Sequence, residues 1–113
     1  MRTLIIAAAL LASAPAFAAD KDVAEGKRLY DHVGCYQCHG YVAQGGAAVR
    51  LAPEPMPYEA LSQFVRSTTG AMPRYTEKIL SESDLRKIYA YLQSIPQPVS
   101  VAKTPLLLNA AGK

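Results

Sequence analysis

The residues best able to do chemistry lie together in one pentapeptide, Cys35-Tyr36-Gln37-Cys38-His39. Two thiols separated by two residues and followed directly by an imidazole form the attachment signature of c-type haem, in which the thiols add to the porphyrin vinyl groups and the histidine reaches the iron. If Cys35 opens a helical turn, Cys38 lies three residues further on the same face and His39 projects toward the metal. The spacing predicts one covalently bound haem c with His39 as an iron ligand.

Three other uses of this motif are weaker. A thioredoxin-like redox pair needs a βαβ framework, which the sequence pattern does not supply. A disulfide between residues three apart closes only a very short loop and adds little stability. A zinc site needs at least one more good ligand, for which His32 is the only candidate. We therefore favour haem, and a non-haem thiol–disulfide protein stays as an alternative.

The sixth coordination position of the iron separates two classes of function. If it is open, the protein can be a haem enzyme or bind a gas; if a side chain occupies it, the protein is suited to carry electrons. Two Met-Pro pairs follow the motif, Met56-Pro57 and Met72-Pro73. Met56 precedes a predicted helix, where its side chain can either pack against the helix start or reach a metal, with Pro57 in the first turn. Met72 follows that helix, in a loop that begins at Gly70, which ends the helix, and is stiffened by Pro73. We predict Met72 as the second axial ligand.

The pattern of apolar residues indicates helices as the elements that position these groups. Three segments carry apolar or small residues at helical spacing: Val23, Gly26, Tyr30 and Val33; Leu61, Phe64, Val65 and Thr68; and Leu85, Ile88, Tyr89 and Leu92. Residues 81–84, Ser-Glu-Ser-Asp, have capping-box spacing before the third segment, and Ile95-Pro96 ends it. The sequence predicts an all-α fold with three main helices, long irregular connections and a small core that the haem completes.

The chain divides into three parts. Residues 1–18 have the pattern of a secretory signal peptide, with Arg2, an apolar run and the small-x-small triplet Ala16-Phe17-Ala18. Residues 19–96 form the predicted domain, and residues 97–113 a proline-rich apolar tail. Export to the periplasm follows, with no stable membrane insertion after cleavage. The 113 residues carry a net charge of only +3, too small a basic surplus for nucleic-acid binding.

From about Gly26 to Pro96 the chain resembles the small class I cytochromes c of bacteria. The resemblance rests on Gly26 and Tyr30, the haem motif, the Gly45-Gly46 loop, Ala71-Met72-Pro73 and Ala90-Tyr91-Leu92. It implies one low-spin haem with His39 and Met72 as axial ligands, and an N-terminal helix that crosses the C-terminal one where Gly26 and Tyr30 meet Tyr91. The family often has Gly-Pro after the motif, with the proline carbonyl accepting the Nδ1 proton of the axial histidine. Here the pair is Gly46-Ala47, which leaves the acceptor open.

The spacing, charge pattern and tail are also similar to the cytochrome subunit of p-cresol methylhydroxylase-like flavoprotein enzymes. We therefore expect a periplasmic one-electron carrier, not an enzyme in itself, working free or as a dehydrogenase subunit. Its electron donor would be a periplasmic dehydrogenase, and its acceptor an oxidase or another cytochrome. In the tail, Leu106-Leu107-Leu108 must cover an apolar surface, either of this domain or of a partner.

Two further sets of side chains are predicted around the haem. Its propionates need donors, for which the candidates are Arg50, Tyr58 and Arg74. Apolar neighbours of the iron would raise the reduction potential, because oxidised haem carries one more positive charge than reduced haem. The candidates for these neighbours are Leu51, Phe64 and Leu92.

Overall fold

The computed structural model of the chain describes residues 15–100, with side chains from residue 19 onward. This part is helical and contains no strand: α1 spans Pro15–His32, α2 Cys35–His39, α3 Tyr58–Ser67 and α4 Glu82–Ser94. The all-α prediction is confirmed, since α1, α3 and α4 are the three predicted helices and α2 is the turn of the haem motif. Most of the predicted signal peptide and residues 101–113 of the tail lie outside the described residues. None of the helices of residues 15–100 is long and apolar enough to cross a membrane.

The crossing of α1 and α4 organises the domain. Gly26 is buried, and a Cβ atom at its position would lie 1.9 Å from the carbonyl oxygen of Lys87. Only glycine lets the two backbones approach so closely. One turn further along each helix the rings of Tyr30 and Tyr91 meet, with centroids 5.5 Å apart and a tilt of 58°. The predicted contact of Tyr30 with Tyr91 is therefore present, whereas Gly26 meets the backbone of Lys87.

We expect Gly26→Ala to destabilise the protein strongly, because its Cβ overlaps backbone atoms that cannot rotate away. Overpacking of this kind costs roughly 1–3 kcal/mol, which lowers the Tm of a domain of this size by at least several degrees. Thermal unfolding of the haem-loaded protein measures the effect. Gly70→Ala is the matched control, since no atom lies within 4 Å of a Cβ built at that position. Equal Tm values for the two variants would contradict the close crossing.

The ends of α4 agree with the sequence signals. The Ser81 Oγ accepts a hydrogen bond of 3.1 Å from the backbone N–H of Asp84, which caps the helix as predicted. The carboxylate of Asp84 is directed to Lys87 Nζ at 3.4 Å. The helix ends at Ser94, directly before Ile95 and Pro96, where the sequence indicated a stop.

The bounds of α3 differ from those predicted. Pro57 is the N-cap residue and not part of the first turn, and the helix ends at Ser67, before Gly70. The hydroxyl of Ser67 donates to the Gln63 carbonyl at 2.7 Å, and Thr68 is already extended. Hydroxyl side chains that bond to nearby backbone favour helix ends, so the loop that carries Met72 begins two to three residues earlier than expected.

Apolar side chains from α1, α3 and α4 meet in one buried cluster. Its largest fully buried members are Tyr30, Leu85 and Leu92, and His39 is the one buried polar side chain among the described residues. Around this cluster lie half-buried residues that include Leu51, Met72, Tyr75 and Ile95. The core residues therefore pack on one side of the haem motif.

Candidate haem site

A cavity of about 430 Å³ lies between the haem motif, α3, α4 and two loops. Its lining is almost wholly apolar, and it brings together Cys35, Cys38, His39 and Met72 with the three predicted apolar neighbours, Leu51, Phe64 and Leu92. His39 and Met72, which are 33 positions apart in the sequence, therefore both line this cavity. The sequence predicted these two residues as iron ligands, and that assignment stays a prediction.

A sharp turn places the two thiols. Gly34 has a φ of 86°, in the left-handed region that favours glycine, so α1 can stop at His32 and α2 begin at Cys35. The Cys35 side chain is half-buried, the Cys38 side chain is exposed, and the two are not bridged. Burial raises the pKa of the Cys35 thiol to about 11.

His39 is held by a backbone carbonyl. Its ring is only 8% exposed, and Nδ1 lies 2.7 Å from the carbonyl oxygen of Val49. Because a carbonyl can only accept, Nδ1 carries the proton and Nε2 keeps its lone pair for a metal. A hydrogen bond of this kind fixes the tautomer and orientation of a metal-binding histidine and makes it a better ligand.

The loop after the motif fixes this acceptor. The backbone N–H of Ala48 donates to the Cys38 carbonyl at 2.9 Å, and that of Leu51 donates to the Ala43 carbonyl at 2.9 Å. Val49 is held between these two bonds. The sequence left this acceptor open, and the structure identifies it as the Val49 carbonyl, because the backbone bonds anchor the loop on either side of that residue.

The methionines of both Met-Pro pairs line the cavity. Met72 is half-buried and packs against the core cluster, whereas Met56 is 45% exposed. The sequence left Met56 either to pack at the start of α3 or to reach the metal, and its position at the cavity wall makes it a second thioether near the site. The greater burial of Met72 favours it as the ligand, and the assignment stays a prediction.

The three candidate propionate donors differ in their partners. Arg50 is exposed, lies between the lining residues Val49 and Leu51, and makes no hydrogen bond or ion pair within the described chain. Arg74 donates through Nε to the Thr68 carbonyl at 3.3 Å. Among the described residues Arg50 therefore has no competing partner, and its role as a propionate donor stays a prediction.

Tyr58 does not line the cavity. Its hydroxyl donates to Glu82 Oε1 at 2.5 Å, and the Arg86 guanidinium stacks over its ring at 4.2 Å. Burial, followed by the hydrogen bond to Glu82, raises the pKa of Tyr58 to about 12. The same bond lowers the pKa of the Glu82 carboxyl. These contacts join the starts of α3 and α4. The Tyr58 hydroxyl therefore already donates its hydrogen bond to Glu82.

The residues present fit a haem. Three large apolar side chains on the cavity wall stay open to water in the chain alone, Val49 at 71%, Met56 at 45% and Phe64 at 54% exposed. A flat apolar group would cover them. Among residues 15–100 no three His, Cys, Asp or Glu side chains come together to hold a bare metal ion. A metal carried by a porphyrin, with thiols at the rim and one buried imidazole, suits this lining.

Residues 21–92, well over half of the chain, match a family model described as cytochrome c oxidase, cbb3-type, subunit III. The chain belongs to this family. It is a small cytochrome c with the all-α fold, its cofactor is haem c, and its chemistry is electron transfer. No curated protein and no solved structure matches the chain.

Three residues of the cytochrome site were not found from the sequence. Val49 acts through its carbonyl, which the side-chain type does not encode. Tyr75 lines the cavity, and the only signal for it was its place three residues after Met72. Arg66 follows the buried Val65 on α3 and bonds to two loop carbonyls, where the sequence showed only a basic residue in the last helical turn.

Proposed function

We propose that this cytochrome c is a periplasmic one-electron carrier with a single haem, attached at Cys35 and Cys38, with His39 and Met72 as axial ligands. The observation that carries the proposal is that a buried imidazole with its Nδ1 proton committed to Val49 shares one apolar cavity with both thiols and the half-buried Met72. A site with two protein ligands leaves no open position for a substrate, which favours electron transfer over catalysis.

The chain's own residues set the redox properties. The haem iron supplies the Fe(III)/Fe(II) couple, and a thioether ligand favours the reduced form. The apolar walls disfavour the extra positive charge of the oxidised form and so raise the potential. The Val49 carbonyl holds the His39 ring in one orientation, so we expect little movement when an electron is transferred.

Export and partners are part of the proposal. The leader pattern of residues 1–18 supports a periplasmic location. The family description names an oxidase subunit, which supports an oxidase as the electron acceptor. The proposal of a periplasmic dehydrogenase as the electron donor rests on the resemblance to the cytochrome subunit of p-cresol methylhydroxylase-like enzymes.

A potentiometric titration of the purified protein tests this function. We expect one reversible transition with a one-electron Nernst slope and one haem per chain by pyridine haemochrome assay. Two transitions, a stoichiometry other than one, or an irreversible wave would contradict a simple one-electron carrier.

The tail has two proposed uses, to cover its own domain or, if the cytochrome is a dehydrogenase subunit, to dock on that partner. Val99 is 79% exposed where the chain leaves α4, so this residue does not pack on the domain. An apolar arm of residues 97–113 would add buried area to a permanent interface at about 25 cal/mol per Å², less the cost of ordering it.

Deletion of residues 99–113 is expected to leave the haem spectrum and potential unchanged and to weaken co-purification with a periplasmic oxidoreductase. Affinity purification of full-length and truncated protein from the same cells compares the two. If truncation instead lowers the Tm by several degrees and leaves partner binding untouched, the tail is part of the fold.

A further inference from the structure

The loop that carries Met72 is held only at its ends. Within the described chain, no hydrogen bond involves residues 69–73. The preceding residue, Thr68, is fixed by its N–H bond to the Phe64 carbonyl at 2.9 Å. The first backbone-bonded residue after Met72 is Tyr75. The position of the Met72 sulfur therefore depends on how firmly these two ends are held.

Three hydrogen bonds hold Tyr75, two with α3 and one with the turn before the haem motif. Its N–H donates to the Val65 carbonyl at 3.1 Å, and its carbonyl accepts from Arg66 Nη1 at 2.9 Å, so its backbone is tied to α3. Its hydroxyl donates to the Val33 carbonyl at 2.8 Å. Val33 lies two residues before Cys35, so one hydrogen bond joins the Met72 loop to the segment that bears the haem motif.

Arg66 holds the far side of the same loop. Its side chain is only 19% exposed, and Nη1 donates to the Tyr75 carbonyl and to the Leu80 carbonyl, the latter at 2.7 Å. Its Nη2 lies 3.5 Å from Glu82 Oε2. One planar guanidinium thus connects α3, both ends of the segment from residue 75 to 80, and the start of α4. A lysine could not reproduce this fork.

We propose that Tyr75 and Arg66 are positioning residues for Met72, and that the Tyr75 hydroxyl bond to Val33 keeps the sulfur at the cavity. This proposal rests on the assignment of Met72 as a ligand. Tyr75 lines the cavity, and its role is to limit the movement of residues 69–73, which make no hydrogen bond within the described chain. When the hydrogen bond from Tyr75 to Val33 is lost, conformations in which the Met72 sulfur has left the iron become more populated. An external ligand then binds the iron more tightly, because fewer molecules must first release Met72.

The test is Tyr75→Phe in the haem-loaded protein, which removes the hydroxyl and keeps the ring. Imidazole is titrated into the ferric protein, and the sulfur-to-iron charge-transfer band is followed. A single neutral hydrogen bond predicts roughly 3- to 10-fold tighter imidazole binding, and loss of the band on heating well below global unfolding. The matched control is Tyr91→Phe, which loses a hydroxyl bond to the Tyr41 carbonyl at 3.3 Å and does not line the cavity. Its imidazole affinity should stay within about twofold of wild type.

Arg66→Lys gives a second variant that keeps the charge beside Glu82 and loses the fork, and it should tighten imidazole binding in the same direction. Imidazole affinities of Tyr75→Phe and Arg66→Lys equal to that of Tyr91→Phe would overturn the positioning role and leave the electron carrier standing. Absence of the charge-transfer band in the wild-type protein would overturn the Met72 assignment itself, and with it this proposal.

Discussion

Double replacement of Cys35 and Cys38 by serine is expected to give a chain without covalent haem that folds poorly. Both thioether bonds are lost, and the apolar walls are then left facing water, with Val49, Met56 and Phe64 already exposed in the chain alone. Apolar surface left in water forgoes about 25 cal/mol per Å² of burial, and a small domain has little stability to spare.

Acid–acetone extraction followed by mass spectrometry measures the covalent haem, and circular dichroism the helix content. Gln37→Ala, an exposed position between the two cysteines, is the control and should keep both. A haem-free double variant that is fully helical and unfolds cooperatively would show that the haem is not the missing part of the core.

Met72→Ala is expected to abolish the sulfur-to-iron band of the ferric protein, to lower the potential and to open the iron to external ligands. Met56→Ala should leave the band intact, because Met56 is the more exposed of the two thioethers at the cavity. The pair is a matched comparison, since each variant removes one methionine followed by proline. Loss of the band in Met56→Ala and its survival in Met72→Ala would reverse the ligand assignment.

The sequence predicted those parts of the site that depend on residue type at short spacing. The haem motif indicated a helical turn, which is α2, and Ser81 with Pro96 indicated the ends of α4. In both cases the local chemistry allows few alternatives. The helix crossing at Gly26 was implied by the resemblance to class I cytochromes c.

Other parts depend on where the backbone runs, which the sequence does not state. Val49 holds His39 through a carbonyl that every residue has. Met56 reaches the cavity because of the path of an irregular loop. Tyr58 was a plausible propionate donor by type, and only the structure shows its hydroxyl on Glu82. Long-range contacts of this kind follow from tertiary packing and not from local pattern.

The absorption spectrum of the purified wild-type protein, ferric and ferrous and with carbon monoxide added, tests whether two protein ligands hold the haem iron. We predict low-spin haem c in both oxidation states, a sulfur-to-iron charge-transfer band in the ferric form and no change of the ferrous spectrum with carbon monoxide. A high-spin ferric spectrum or a ferrous form that binds carbon monoxide would contradict it and indicate an open sixth position, as in a haem enzyme or gas-binding protein. The absence of haem bands would leave a thiol–disulfide protein.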